Sequence, residues 1–248
     1  MRITCMFSAS LMVLALAATA SAQSEGLYFA PKIGLSHMKA DINGDLSIPG
    51  RGKIPLNGDG KGNQPVLGFA VGYDFNLIYD GTPLRAELEY AWRGKKELYS
   101  DNSALTVWTT PIPMVKKGEF EVHSLFINAY FDNGLDDSTT VAPYIGAGLG
   151  LALVSADYST YTINGTGTGA HLIEVAMSKK KTNLAWNVGG GVAWEIAASM
   201  ALDLGYRYAD FGNVEASTTV NVPGYSAPVA VDSKVTSHEV LMGLRYTF

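Results

Sequence analysis

The sequence predicts an all-β fold, an eight-stranded antiparallel up-and-down transmembrane β-barrel. Three observations point to it. An export segment opens the chain, eight segments after it alternate apolar and polar residues, and the links between them alternate long and short. A strand crossing a membrane at a tilt needs about 9 to 11 residues, and each segment is near that length.

The first element is residues 1–22. Arg2 supplies a small positive region, Met6 to Ala18 is mostly apolar, and Ala20-Ser21-Ala22 fits a small-residue cleavage site. The apolar run is shorter than the roughly 20 residues of a spanning helix. This is a signal peptide, cleaved after Ala22, leaving residues 23–248 as the barrel domain. Cys5 falls inside the signal, so no disulfide is expected in the mature chain. Charged residues make up 17%, where about a quarter is usual. Net charge is -5, or -6 once Arg2 is removed, which argues against nucleic acid as a partner.

Segment one, GLYFAPKIGLSHM, sets Leu27, Phe29, Ile33 and Leu35 against Ala30, Lys32, Gly34 and Ser36. In VLGFAVGYDF, Leu67, Phe69, Val71, Tyr73 and Phe75 share one parity. The third, PLRAELEYAWR, is sharpest: Leu84, Ala86, Leu88, Tyr90 and Trp92 oppose Arg85, Glu87, Glu89 and Arg93. No amphipathic helix keeps a period of two over this length. In FEVHSLFINAYF the phase changes, with Phe120 and Val122 on one parity and Leu125, Ile127, Ala129 and Phe131 on the other. Two readings fit: a bulge near Ser124, or a period that alternation alone does not describe.

Segments five to seven are APYIGAGLGLALV, LAWNVGGGVAW and MALDLGYRYA, the last with Asp203 and Arg207 opposite Leu202, Leu204, Tyr206 and Tyr208. The eighth, EVLMGLRYTF, sets Val240, Met242, Leu244, Tyr246 and Phe248 against Glu239, Gly243, Arg245 and Thr247.

The long links span 39–64, 94–118, 154–180 and 210–234 and are expected to be extracellular loops. NLIYDGT, DNGLDDST and EIAAS are the short turns. An even strand number places both mature termini in the periplasm. In lipid an open sheet edge is untenable, so the first strand should pair with the eighth. A water-soluble barrel would put its apolar parity inside. Here the polar parity carries Arg85, Glu87, Glu89, Arg93, Asp203, Arg207 and Arg245, which cannot all stand unpaired in a narrow lumen. They are expected to form a paired, hydrated interior network. Gly146, Gly148, Gly150, Gly189 and Gly191 line the same parity. They either leave water-filled space or make room for Arg and Glu side chains from across the barrel.

The signal peptide, AELEYAWR, FINAYFD, PYIGAGLGLA, AWNVGGGVAW, ALDLGYRYADFG and GLRYTF together resemble the small outer-membrane β-barrel family of Gram-negative bacteria. This family includes outer-membrane protein A-like transmembrane domains, surface antigens and opacity-type proteins. The resemblance implies an integral outer-membrane location. It implies outer-membrane lipids, periplasmic chaperones and the barrel-assembly machinery as partners, with an extracellular ligand met through the loops. It further implies that Tyr246 and Phe248 form a terminal assembly signal.

Chemistry finds little support. His37, His123, His171 and His238 lack metal-ligand spacing, and no cofactor is expected. His123 and Ser124 are adjacent, as are His238 and Glu239, so on a strand each pair points to opposite faces. Lys179, Lys180 and Lys181 face either anionic headgroups or solvent. The expected function is non-enzymatic: envelope support and display of surface loops for adhesion or host contact. The alternative is a narrow, porin-like path for ions or small polar solutes.

Overall fold

The computed structural model describes residues 26–48, 52–55, 57–75, 83–98, 104–107, 110–132, 141–164, 171–222 and 225–248. The expected signal, 1–22, and the turns NLIYDGT and most of DNGLDDST lie outside them. Ten strands follow in order: β1 (Leu27–Ile48), β2 (Gly52–Pro55), β3 (Gly58–Asp74), β4 (Leu84–Glu97), β5 (Ala104–Val107), β6 (Thr110–Asp132), β7 (Val141–Asn164), β8 (His171–Ala197), β9 (Met200–Val222) and β10 (Tyr225–Thr247).

Eight long strands are hydrogen-bonded in a ring. The order runs β1, β3, β4, β6, β7, β8, β9, β10, and β10 returns to β1. That closing ladder runs from Tyr28↔Thr247 to Leu46↔Val229. Every pairing is antiparallel, and β2 and β5 are short additions on β1 and β6.

The strands are far longer than the sequence segments. β7 has 24 residues and β8 has 27, against the roughly 10 needed to cross a bilayer. Most of 39–64, 94–118, 154–180 and 210–234 is therefore paired strand, not irregular connection. The reason is an inversion of amphipathicity within single strands.

On β6, Leu125, Ile127 and Phe131 point outward and are exposed, while Ser124, Phe126 and Asn128 point inward. Further along, Phe120 and Val122 are the buried inward residues, and Glu119 and Glu121 face out. The β6–β7 register is unbroken from Met114↔Thr162 to Asp132↔Tyr144, so there is no bulge near Ser124. Parity is constant; only the chemistry of the two faces exchanges. β7 does the same, with Leu149, Leu151 and Leu153 outward, then Asp157 outward and Val154, Ala156 and Tyr158 inward.

The outward band of Ile33, Leu35, Leu67, Phe69, Leu88, Ile127, Ile145, Leu149, Leu184, Val188, Leu204 and Met242 is a surface that water would not tolerate and hydrocarbon would. Tyr90, Trp186, Tyr206 and Tyr208 rim it on the hairpin side.

Beyond this rim the ring divides. β8–β9 pairing stops at Trp186↔Asp210, and β3–β4 pairing stops at Val66↔Arg93. β7–β8 continues to Asn164↔His171, β9–β10 to Tyr225↔Val222 and β1–β3 to Ile42↔Gly58. The hairpin half is thus two facing sheets, β3-β1-β10-β9 and β4-β6-β7-β8. A bulge marks each parting: between Arg93 and Lys96 on β4, and opposite Lys234/Thr236 on β9. On β9, Gly212 has φ +77, a left-handed conformation that other residues adopt at a cost, and Asp210 Oδ1 accepts from its N–H at 2.9 Å.

Candidate functional site: the interior of the ring

Inward side chains form two stacked layers of opposite character. The first lies level with the apolar outer band. Strand alternation from β1, β4, β9 and β10 turns Lys32, Arg85, Glu87, Glu89, Arg93, Asp203, Arg207, Glu239 and Arg245 inward, stacked along the length of the band, which the segment parities of the sequence imply only strand by strand. Glu239 accepts from both Arg93 and Arg207, the latter at 2.7 Å. Arg207 also reaches Glu89, Glu89 accepts from Lys32 at 2.7 Å, and Lys32 reaches on to Glu87. Arg85 donates to both oxygens of Asp132, at 2.6 and 2.9 Å. Arg245 is held more loosely, 3.7 Å from Asp74 and 3.9 Å from Asp203.

All seven charges named from sequence sit in this layer. Their partners Lys32 and Glu239 stand on the polar parities of segments one and eight but are not grouped with the network in the sequence, and Asp132 lies just past segment four. Pairing across a ring needs the inter-strand register, which a single segment does not show. Tyr28, which donates to Glu87 at 2.8 Å, was read as neither face.

Aromatic rings cover the charges. The Arg85 guanidinium lies 4.9 Å from the Tyr130 ring and 5.2 Å from Tyr144; Arg93 lies 4.5 Å from Phe211. These rings explain much of the glycine face. A Cβ on Gly191 would stand 2.7 Å from the Tyr144 hydroxyl oxygen, one on Gly205 2.6 Å from it, and Tyr130 packs over Gly146 in the same way. Tyrosines thus cover Gly146 and Gly191, while Asn128 and Asn187 lie over Gly148, the backbone at Leu125 and Phe126 over Gly150, and Arg207 over Gly189. A cavity of about 50 Å³ remains, lined by Lys32, Glu89, Tyr144, Asp203 and Arg207 among others.

The second layer lies in the hairpin half, between the two sheets. Met38, Leu98, Phe120, Val122, Val154, Ala156, Tyr158, Phe211, Val214, Val229, Val231 and Val235 form one buried apolar cluster that also takes in Phe126. Phe120 and Tyr158 meet edge to face at 5.7 Å. Tyr158 spans the two sheets by donating to Ser233 Oγ at 2.7 Å, and burial pushes its hydroxyl up to about 12.

The adjacent pairs weighed for catalysis do face apart. His123 points outward to Tyr90 (2.7 Å), and Ser124 inward, accepting from Arg93 at 2.9 Å. His238 bonds Tyr206 outside, while Glu239 lies inside. His37 meets Asn63 at 2.7 Å. Among the described residues no group of three or more His, Cys, Asp or Glu is placed to hold a metal ion.

Outside, beyond the aromatic rim, Lys95 bridges Glu119 at 2.7 Å and Asp157 at 2.8 Å. The hydrogen bond from Lys95, with a second from Ser178, holds the Asp157 carboxyl below the usual carboxylate range.

The chain resembles outer membrane protein PagN of Salmonella typhimurium, at 29% identity over 96% of this chain and 95% of PagN. It is 25% identical to the putative adhesin RC1281 of Rickettsia conorii over 61% of this chain, spanning about half (55%) of that longer protein. Among solved structures, Neisserial surface protein A matches with 20% identity and a TM-score of 0.45, over 89% of this chain and 97% of that one. Residues 7–248 match the outer membrane protein beta-barrel domain family, so the chain belongs to that family and is an integral β-barrel protein of the outer membrane.

Proposed function

We propose that this protein is a non-enzymatic, non-conducting eight-stranded up-and-down barrel. Its lipid-clad half contributes to envelope integrity. Its hairpin half stands outside the membrane as a rigid platform for adhesion or host contact, with both mature termini periplasmic. The single observation carrying this reading is the stacking of the two interior layers. A path for ions or small polar solutes needs continuous polar lining. The charged layer is cross-bonded through Glu239 and Glu89, and the apolar cluster of Phe120, Val122, Val154 and Phe211 stands directly above it. Eight strands give a lumen about wide enough for side chains alone. These features argue against the narrow-pore alternative. The adhesin label of the Rickettsia relative supports the display reading.

In this reading outer-membrane lipids meet the apolar band, and the periplasmic chaperones and assembly machinery meet the last strand. Tyr246 faces outward and packs edge to face on Phe248 at 5.3 Å. Planar-bilayer recording of refolded protein tests the reading: a silent bilayer is expected, and reproducible unitary conductance overturns it. Cells expressing the protein should lose host-cell attachment when the hairpins beyond the aromatic rim are trimmed; unchanged attachment refutes adhesion.

A further inference from the structure

We propose that His37 and His238 form a two-imidazole site for a divalent transition-metal ion such as zinc, which clips the first strand of the ring to the last. The site stands apart from both display and conduction.

Register creates the pair. His37 on β1 and His238 on β10 stand directly opposite each other in the ladder that closes the ring. Opposed residues of an antiparallel pair carry their Cβ atoms about 4.5–5.5 Å apart on one face. Both histidines are exposed and point outward, as do Leu35 and Val240, the next outward pair toward the chain termini. Ser36, Met38, Ser237 and Glu239, on the alternate positions, are buried inside. The pair thus sits on the outer wall at the hairpin-side edge of the apolar band, beside Tyr206 and Tyr208, where ions in the outside water reach it.

The flanking strands aim the two rings. His37 Nδ1 lies 2.7 Å from Asn63 Oδ1 on β3, the side away from β10. An amide oxygen only accepts, so Nδ1 carries the proton and the free lone pair is on Nε2. His238 Nδ1 lies 2.6 Å from the Tyr206 hydroxyl on β9, the side away from β1, and the Tyr208 ring packs edge-on against it at 5.2 Å. With each Nδ1 tied to its outer neighbour, the Cδ2–Nε2 edge of each ring turns toward the shared seam. Metal-binding histidines are held in this way, one ring nitrogen fixed by a hydrogen bond and the other coordinating.

Ligand type selects the ion. Imidazole suits zinc, copper and nickel, whereas calcium and magnesium take oxygen ligands. Two imidazole nitrogens, each about 2.0–2.1 Å from zinc, leave the other positions to water, so the site is open. Nearby cations are offset: Lys39 pairs with Asp41 at 2.7 Å and Lys61 with Asp59 at 3.4 Å. His123 is the contrast. It too meets a tyrosine through Nδ1, but its cross-strand partners are Trp92 and Leu153, not a second imidazole. Sequence spacing hides the pair, because its members lie near opposite ends of the chain.

The test titrates zinc chloride into the full mature chain, refolded in detergent without a histidine tag, and follows the heat of binding. One zinc ion per chain is expected. Losing a ligand costs at least what losing an outer-shell partner does, so His37→Ala and His238→Ala should each weaken binding by about tenfold or more. His123→Ala should leave it unchanged, with heat-modifiable gel migration confirming that each variant is folded. Zinc should also raise the urea midpoint of the unsubstituted protein and not that of the His37 or His238 variant, because only the folded ring brings the two imidazoles together. No zinc binding, or binding that survives both substitutions, overturns the site. Binding that leaves the midpoint unmoved overturns the clip between the two strands.

Discussion

Arg93 on β4 and Glu239 on β10 meet as a two-pronged ion pair inside the ring, 146 residues apart in sequence and both fully buried. β1 and β3 lie between their strands in the ring, so the pair braces the barrel across its interior. Arg207 shares the same carboxylate.

Removing one member of such a set strands the others. Glu239→Ala is expected to lower folding stability by about 3–5 kcal/mol, because two buried guanidinium groups lose the carboxylate they share, leaving Arg93 only Ser124 and Arg207 only Glu89 among their side-chain acceptors. Urea unfolding in micelles measures it. A loss below about 1 kcal/mol would mean that water replaces Glu239 readily.

Tyr144 fits against two missing side chains. Gly205→Val should cost about 1–3 kcal/mol by overpacking against the Tyr144 hydroxyl. In the background of Tyr144→Ala the same substitution should cost much less. A double-mutant cycle with no coupling would show that the glycine serves its own strand and not the tyrosine.

If the interior is closed as proposed, its two layers should seal independently. Deleting the charges at Glu89 and Arg207 together should leave the bilayer silent, since Phe120, Val122 and Phe211 still close the hairpin half. Channels appearing in Glu89→Ala/Arg207→Ala would assign the seal to the charged layer alone.

Asp157 gives the hairpin half a weak acid sensitivity. Its carboxyl is depressed by the hydrogen bonds from Lys95 and Ser178. A depressed acid stabilises the fold above its unfolded value, near 4, and the contribution fades as pH falls through the lower folded value. The group is partly exposed, so the effect is below about 1 kcal/mol. Hydrogen exchange of the β7 amides around Asp157 should quicken as the pH falls below about 4, relative to Asp157→Asn. Identical pH profiles would show that the Lys95 bridge contributes nothing.

If Phe248 belongs to a terminal assembly signal, assembly and stability should separate at this residue. Phe248→Ser is expected to reduce the amount of folded protein reaching the outer membrane while the refolded protein loses less than about 1 kcal/mol. Equal cellular yield would remove the terminal aromatic from any role in assembly.

The lipid-facing half was readable from sequence because AELEYAWR and its counterparts alternate strongly, with charge on one face and bulky apolar groups on the other. The ring order followed from link lengths and from the need to bond every backbone group in lipid. The hairpin half was not readable. There Val122, Val154 and Val231 turn inward and Glu121 and Asp157 outward, the reverse of the lipid-facing pattern, so a constant parity looks like a broken one. The candidate site was half visible: inward charges were evident, but the ion pairs depend on registers such as Arg207↔Glu239 that single segments do not encode. The glycine face is filled in several ways at once, by tyrosines over Gly146 and Gly191, asparagines over Gly148 and Arg207 over Gly189, with a small cavity left, and this mixture is set by the neighbouring strands and not by the glycine pattern itself.

The exchange of faces along strands such as β6 and β7 also acts as a waterline. Sinking the barrel by one turn of the alternation would drag Glu121 and Asp157 toward hydrocarbon, and raising it would lift Leu153 and Leu184 into water. Either shift is opposed on several strands at once. The protein therefore carries its own draught mark, and the height at which it holds its hairpins above the lipid is written into the side chains and not left to the bilayer.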